Sequence, residues 1–480
     1  MIQVAQAEER FAYQALAGEL VRMIEAGTLR PGDRVPSVRR MSTQHGVSVT
    51  TVLQAYRLLE DRRVIRARPQ SGFYVQPRER SRVAEPGRTA PPCVACDVSV
   101  SDTIAAFLAA VGDPALVPLG AALPHPDFLP VARLARLLGA AARRERRHPA
   151  SYAPAGTPEL RREIAKLAMD AGCAASAADV VITCGCSEAI SLCLRAVAKP
   201  GDAIAVESPT YFGTLQAIEA LGMRALEIPT EPRDGICVDA LEEALRSGAA
   251  KACVLTPSFQ NPLGARMPDE HRRRVAELLA RYGVPAIEDD TFGDLHFGEA
   301  RPRALQAWDR EGWVLRCGTF SKTLAPGFRV GWAFPGRFRA AVERLKAATT
   351  LTTASAPQLA LAELLSAGGY AHHLRRLRRT LAANVERLGF EAAERLPAGT
   401  RVSRPQGGFV LWVELPEGTD AMELHRRAAG RGISLAPGPV FTPSAGYRNC
   451  IRLSAGHPWS DRTAQALDVI RELAADCVAP

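Results

Sequence analysis

The sequence predicts a multidomain protein, a small and mainly helical N-terminal domain with a β-hairpin followed by a large α/β domain. Three observations carry that expectation. At 480 residues the chain is longer than one hydrophobic core usually spans. Residues 8–76 form a helical unit that ends in a short β pattern, and residues 77–97 (PRERSRVAEPGRTAPPCVACD) are rich in Pro, Arg and small residues without apolar periodicity, so they read as a linker. From residue 98 to about 475, short apolar runs alternate with amphipathic helices, the pattern of a mostly parallel sheet covered by helices on both faces.

The bulk numbers exclude some classes. The chain is 47% hydrophobic and 23% charged, an ordinary globular balance, and no apolar run reaches membrane-spanning length. No charged-then-apolar signal pattern stands at the start, and eleven cysteines in a long chain that needs no staples point to a reducing cytoplasm. Cys93-Val-Ala-Cys96 is half of a zinc pattern with no second Cys or His pair nearby, so reduced thiols and no metal are expected. The net charge of +9 permits an acidic partner.

In the first domain, Phe11, Leu16, Leu20 and Ile24 put an apolar stripe on one helix, stopped at Gly27 and the Pro31-Gly32 turn. Ser37 caps a second helix over 38–45 that ends at Gly46, and Ser48 caps a third, with Val52, Tyr56 and Leu59 facing inward. Two helices separated by about three residues with a Gly are a helix-turn-helix signal. Val64–Arg68 and Gly72–Val75 flank a turn and suggest a β wing. Residues 1–80 carry 13 Arg against 8 acidic residues. The positions expected to face outward, Arg39, Arg40, Thr50, Thr51, Gln54 and Arg57, suit phosphate and base-edge contacts on double-stranded DNA.

The stretch LRPGDRVPSVRRMSTQHGVSVTTVLQAYRLLEDRRVIRARPQSGFYV resembles the winged helix-turn-helix of GntR-type bacterial transcription regulators. That resemblance implies binding to a promoter or operator. Many members have Arg where this chain has Val49, so a phosphate contact is exchanged for an apolar side chain that suits a thymine methyl.

In the second domain the apolar runs 180–183, 203–206, 252–255, 285–287 and 314–317 read as strands, several ending in polar groups. One cation there is unusual. The chain has 55 arginines and only 5 lysines, and one of the lysines is Lys322 in GTFSKTLAPGFRVGW. A guanidinium stays protonated, whereas a desolvated lysine amine deprotonates and condenses with an aldehyde. Thr319, Ser321 and Arg329 offer hydroxyls and a fixed cation to a phosphate, and the helix that follows Thr183-Cys-Gly-Cys-Ser-Glu188 offers backbone N–H groups. Asp289 ends a buried run, where a carboxylate wants a cation such as a protonated ring nitrogen, and Tyr211 suits stacking on a flat ring. Aldehyde, phosphate, ring nitrogen and ring face together describe pyridoxal 5′-phosphate.

Residues 98–475 resemble a fold-type I aminotransferase of class I/II, with a smaller C-terminal α+β subdomain implied. By that resemblance Lys322 carries the cofactor as a Schiff base, and Arg329, Thr319, Cys186 and Ser187 bind its phosphate. Tyr211 in ESPTYFG would stack on the ring, Asn261 in PSFQNPLG would donate to the ring 3′-oxygen, and Asp289 in IEDDTFGDL would hold the pyridinium proton. Arg452 in NCIRLSAG matches the residue that binds a substrate α-carboxylate. Tyr152 in SYAPAGTPELRREIA matches a tyrosine that reaches the neighbouring subunit's phosphate, which implies a homodimer. Phe292 departs from the Tyr that usually stands three residues after the ring aspartate.

The two resemblances together are the arrangement of MocR-type regulators. They imply a pyridoxal-phosphate-dependent transcription regulator that senses an amino acid or amine by aldimine exchange at Lys322. An active aminotransferase with a secondary DNA module, and a fold-type I acyltransferase making an aminoketone, are the alternatives. The clusters 143–147 and 375–379 read as solvated basic helix faces, and the histidines show no ligand spacing.

Overall fold

The apolar spacing near the N terminus closes three helices and a hairpin around one small core. In this computed structural model, which describes residues 2–25, 28–29, 32–61, 64–68, 71–76, 84–109, 113, 115–144 and 152–477, the chain divides into two units, Met1–Arg82 and Val83–Pro480. Gly27, Pro31, Pro69, Gln70 and the first seven residues of the linker stretch lie outside the described residues, as do the side chains of Phe11 and of positions 144–147.

In the first unit, α1 (Ile2–Glu25) turns Leu16 and Leu20 inward. Ser37 starts α2 (Val38–His45) by accepting a hydrogen bond from the Arg40 N–H at 3.3 Å, and Gly46, at φ 63°, closes it in the left-handed region that glycine adopts without penalty. Ser48 does the same for α3 (Val49–Asp61), accepting from the Thr51 N–H at 3.0 Å. Val52, Ala55, Tyr56 and Leu59 are fully buried, each large side chain contributing about 1.5–3 kcal/mol of apolar burial, and the Tyr56 hydroxyl donates to the Pro36 carbonyl at 2.5 Å. The strands β1 (Ile65–Arg68) and β2 (Gly72–Val75) pair antiparallel, Ile65 opposite Val75, and form the expected wing.

One expected outward position is corrected. Thr51 is 3% exposed and faces the core, its hydroxyl 2.8 Å from that of Ser48. Helical spacing is the reason: Thr51 stands four residues before Ala55 and eight before Leu59, both buried, so it shares their face of the helix.

In the second unit a nine-stranded sheet runs in the order Cys96–Asp97, Arg224–Glu231, Ala203–Ser208, Ala252–Leu255, Ala286–Asp289, Val314–Thr319, Gly331–Phe334, Val181–Thr183, with Gly235–Ile236 beside Arg224–Glu231. The five central strands are parallel, while Gly331–Phe334 runs antiparallel to both its neighbours. These strands are buried along nearly their whole length, which is why they read as continuous apolar runs rather than alternating ones. Their C-terminal ends bring Ser208, Asp289 and Thr319 to one edge of the sheet.

A smaller antiparallel sheet, Arg401–Val402, Val410–Glu414, Cys450–Ser454 and Ala436–Pro437, packs with the helices Gly369–Arg395, Ala421–Gly430 and Asp461–Asp476 into an α+β subdomain. Residues 84–97 lie along the second unit. The Val402 N–H donates to the Ala84 carbonyl at 3.0 Å, Arg233 Nε donates to Glu85 at 2.7 Å, and the Thr89 hydroxyl donates to the Ser208 carbonyl at 2.8 Å.

Candidate functional site

The sheet edge gathers the chemistry. Lys322 lies three residues beyond the strand Val314–Thr319, partly buried, with Nζ donating to the Ala122 carbonyl at 2.8 Å. Burial, helped by the positive charge of Arg452, pushes its pKa down to about 8. A lysine so placed is neutral far more often near pH 7 than a solvated one, and a neutral amine is the nucleophilic form.

Asp289 is the last residue of its strand and 6% exposed. One carboxylate oxygen accepts from the Thr291 N–H at 3.0 Å and faces the Cys186 thiol at 3.6 Å. Burial raises its pKa, and among the described residues no cation forms an ion pair with it. A buried carboxylate in that condition suits a ligand N–H that carries positive charge.

The helix Gly185–Val197 starts earlier than the sequence suggests, so Cys186 and Ser187 sit in its first turn instead of ahead of it. Gly185 makes this possible. Its φ is 78°, and a Cβ there would stand 2.5 Å from Arg329 Nη2. The close approach places the Arg329 guanidinium against the helix N-terminus, where backbone N–H groups and a fixed cation together form an anion cradle. Thr319 is 7% exposed and its hydroxyl is 2.9 Å from that of Ser321.

Tyr211 immediately precedes the helix Phe212–Ala220, and its ring lies beside Gly213. Burial, with Asp289 adding to it, raises its pKa to about 12, so the phenol stays protonated. Arg452, on the strand Cys450–Ser454, is 1% exposed. Its Nη1 donates to Asn261 Oδ1 at 3.0 Å and its Nη2 to the Gly120 carbonyl, while Nε has no partner. Among the described residues no carboxylate pairs with it, and burial lowers its pKa to about 10. Lys322 and Tyr211 each feel the charges of Asp289, Arg329 and Arg452, and the Cys186 thiol lies 3.6 Å from Asp289, so these six groups form one cluster, which Asn261 joins through Arg452.

Tyr152 does not join it and stands 76% exposed on the surface. Phe292 is 3% exposed, its ring edge-on to Phe409 with centroids 5.4 Å apart. Sequence reasoning missed the carbonyls of Gly120 and Ala122, which grip Arg452 and Lys322 and carry no residue-type signal. It also missed Thr291, which the Asx-turn pattern after Asp289 announces.

In the first unit, Arg39, Arg40, Thr50, Gln54 and Arg57 are exposed together with Val49. Among the described residues, no cluster of His, Cys, Asp and Glu suits a metal ion, and no helix is long and apolar enough to cross a membrane.

The clustered residues fit pyridoxal 5′-phosphate. There is an amine of lowered pKa, a carboxylate short of a cation, a helix N-terminus backed by an arginine, and an aromatic ring. Comparison with known proteins agrees. Residues 125–470 match the class I and II aminotransferase family, and residues 12–75 match the gntR family of bacterial regulatory proteins. The uncharacterized HTH-type transcriptional regulators YjiR and YdcR of Escherichia coli are 38% and 39% identical to this chain, each over 96% of it and 98% of the relative. The 2-aminoadipate transaminase of Thermus thermophilus is 31% identical, over 74% of this chain and 89% of that enzyme. Among solved structures, α-aminoadipate aminotransferase LysN of Thermus thermophilus, complexed with N-(5′-phosphopyridoxyl)-L-leucine, superposes with a TM-score of 0.72 at 29% identity, covering 78% of this chain and 95% of that one. The family and such relatives imply pyridoxal phosphate.

Proposed function

The chain belongs to the class I and II aminotransferase family and carries a gntR-family unit at its N-terminal end, and from that premise we propose that it is a pyridoxal 5′-phosphate-dependent transcription regulator that senses an amino acid or amine at Lys322. The fusion of a DNA-binding domain to an aminotransferase domain supports a regulator. The single observation that carries the sensing is Arg452, a buried guanidinium with an unused Nε–H in the same charge cluster as Lys322.

Each residue has a role in this reading. Arg329, Thr319, Cys186 and Ser187 hold a phosphate at the helix N-terminus, Asp289 holds a ring N–H, Tyr211 covers the ring face, and Asn261 donates to a ring oxygen. Bound there, pyridoxal phosphate would supply an aldehyde carbon open to the Lys322 amine or to a ligand's amine. Arg452 receives the ligand's carboxylate through Nε and one terminal nitrogen, which orients the ligand's amine toward Lys322. Tyr152, exposed on this chain, reaches the phosphate of a second subunit in a homodimer. Arg39, Arg40, Thr50, Gln54 and Arg57 contact operator DNA. Ligand binding changes DNA affinity only as far as the ligand prefers one arrangement of the protein over another.

The test is a visible absorption spectrum of purified protein titrated with pyridoxal 5′-phosphate, for wild type and Lys322→Ala, joined to a gel shift on the DNA upstream of its own gene with and without cofactor. A lysine-dependent chromophore and a cofactor-dependent shift support the reading. A colourless wild type defeats it. A second reading, an active aminotransferase, is favoured by the Lys322 amine, whose pKa near 8 suits a proton shuttle. Conversion of the cofactor to its amine form by mixed amino acids in a single turnover distinguishes that reading.

A further inference from the structure

The outward face of α3 carries one residue that neither the core nor solvent explains. Val49 is 47% exposed and is the one large hydrophobic side chain exposed among the first-unit residues whose side chains are described, within 13–76. It takes no part in that unit's hydrophobic cluster, whose buried α3 members are Val52, Ala55, Tyr56 and Leu59, with Leu58 packed against them. Thr50 and Gln54, which share its end of the helix, are exposed and polar, and the exposed cations Arg39, Arg40 and Arg57 lie on the same pair of helices. The face is therefore basic and hydrogen-bonding, and Val49 is its one exposed apolar point, with the partly buried Leu53 a turn further on.

That point is fixed in place. Val49 is the first residue of α3, directly after Ser48, whose hydroxyl accepts from the Thr51 N–H at 3.0 Å and pins the start of the helix. A β-branched side chain in a helix has one strongly preferred χ1 rotamer, so its methyl groups lose little freedom on contact. The first turn of the second helix of a helix-turn-helix is the part that approaches base edges in the major groove. Of the groups displayed there, only the 5-methyl of thymine is apolar.

We infer that Val49 reads a thymine 5-methyl group, so that the protein selects operators with a T·A pair at the position Val49 faces. The inference rests on the DNA-binding regulator reading and adds to it the chemistry of one base position. Docking of a second protein on this face is the competing occupant. The basic residues around Val49 favour a polyanion, because a protein partner at a lone valine would find cations where an apolar interface wants none.

The experiment uses the full-length protein loaded with pyridoxal 5′-phosphate. A site is selected from a random double-stranded DNA pool. Each of its thymines is then replaced singly by deoxyuridine, which removes only the 5-methyl, and affinity is measured for wild type and Val49→Ala. One thymine in each half-site should weaken wild-type binding about four-fold when its methyl is lost, and that thymine should cease to matter in Val49→Ala. Deoxyuridine at every position without effect, on a site the protein still binds specifically, overturns the inference while sparing the regulator reading. A Val49→Ala variant that keeps the methyl dependence but changes self-association overturns it in favour of a protein contact. A pool from which nothing is enriched overturns the regulator reading and this inference with it.

Discussion

Replacing Arg452 with methionine removes a guanidinium that is 1% exposed and supplies a flexible apolar chain in its place. The magnitude follows from two opposing effects. Burial lowers the arginine pKa from its ordinary value to about 10, which corresponds to about 3 kcal/mol of penalty for keeping the charge there. Against that, the Asn261 side-chain oxygen and the Gly120 carbonyl each lose a donor, at about 1 kcal/mol apiece. The ligand-free variant is therefore expected to be more stable than wild type by about 1 kcal/mol, read as a later midpoint in urea unfolding. Binding changes in the other direction. A carboxylate held by two charge-assisted hydrogen bonds, at about 1.5 kcal/mol each, is worth about 3 kcal/mol, so alanine should lose roughly a hundred-fold in affinity relative to ethylamine, followed through the cofactor absorbance. A variant that unfolds more than about 2 kcal/mol earlier would make Arg452 a structural residue. One that still prefers alanine as wild type does would refute the carboxylate role.

Other consequences are equally specific. Lys322 has a lower pKa folded, about 8, than its ordinary 10.5. The unfolded chain therefore binds the extra proton between those values, and this residue's contribution to stability rises with pH across that window. The difference in urea stability between ligand-free wild type and Lys322→Met should show that slope between pH 8 and 10.5, and a flat difference would contradict it. Gly185→Ala forces a Cβ to 2.5 Å from Arg329 Nη2 at a φ of 78°. The left-handed backbone costs roughly 1–2 kcal/mol, and displacement of the guanidinium should weaken cofactor uptake at least ten-fold, about 1.4 kcal/mol, in an absorbance titration. Phe292→Tyr restores a hydroxyl worth about 1 kcal/mol, so the pH titration of the Lys322-linked chromophore should move by somewhat less than one unit; an unmoved titration removes any role for a hydroxyl there.

Much of this was legible in the sequence because the signals are local. Leu16 and Leu20, and Val52, Tyr56 and Leu59, fall at helical spacing, and the serines at 37 and 48 mark helix starts without reference to anything distant. Strands buried on both faces announce themselves as unbroken apolar runs, and Lys322 stands out because the chain otherwise writes its cations as Arg. What the sequence hides is what the backbone does. The carbonyls of Gly120 and Ala122 hold Arg452 and Lys322 across some 200 residues or more of chain, and any residue type offers a carbonyl. Thr51 lies at the margin of the buried helix face, in the row it shares with Ala55 and Leu59, and its polar side chain suggests the opposite direction. The unused Nε of Arg452 is a property of geometry with no trace in residue order.

The most direct measurement is chemical. Purified protein is incubated with pyridoxal 5′-phosphate, reduced with borohydride, digested, and its peptides are mapped by mass spectrometry. The phosphopyridoxyl mass should sit on the peptide containing Lys322, and the protein should lose its visible absorbance on reduction. A label on Lys166, Lys199, Lys251 or Lys346, or no label at all, would contradict the account at its root.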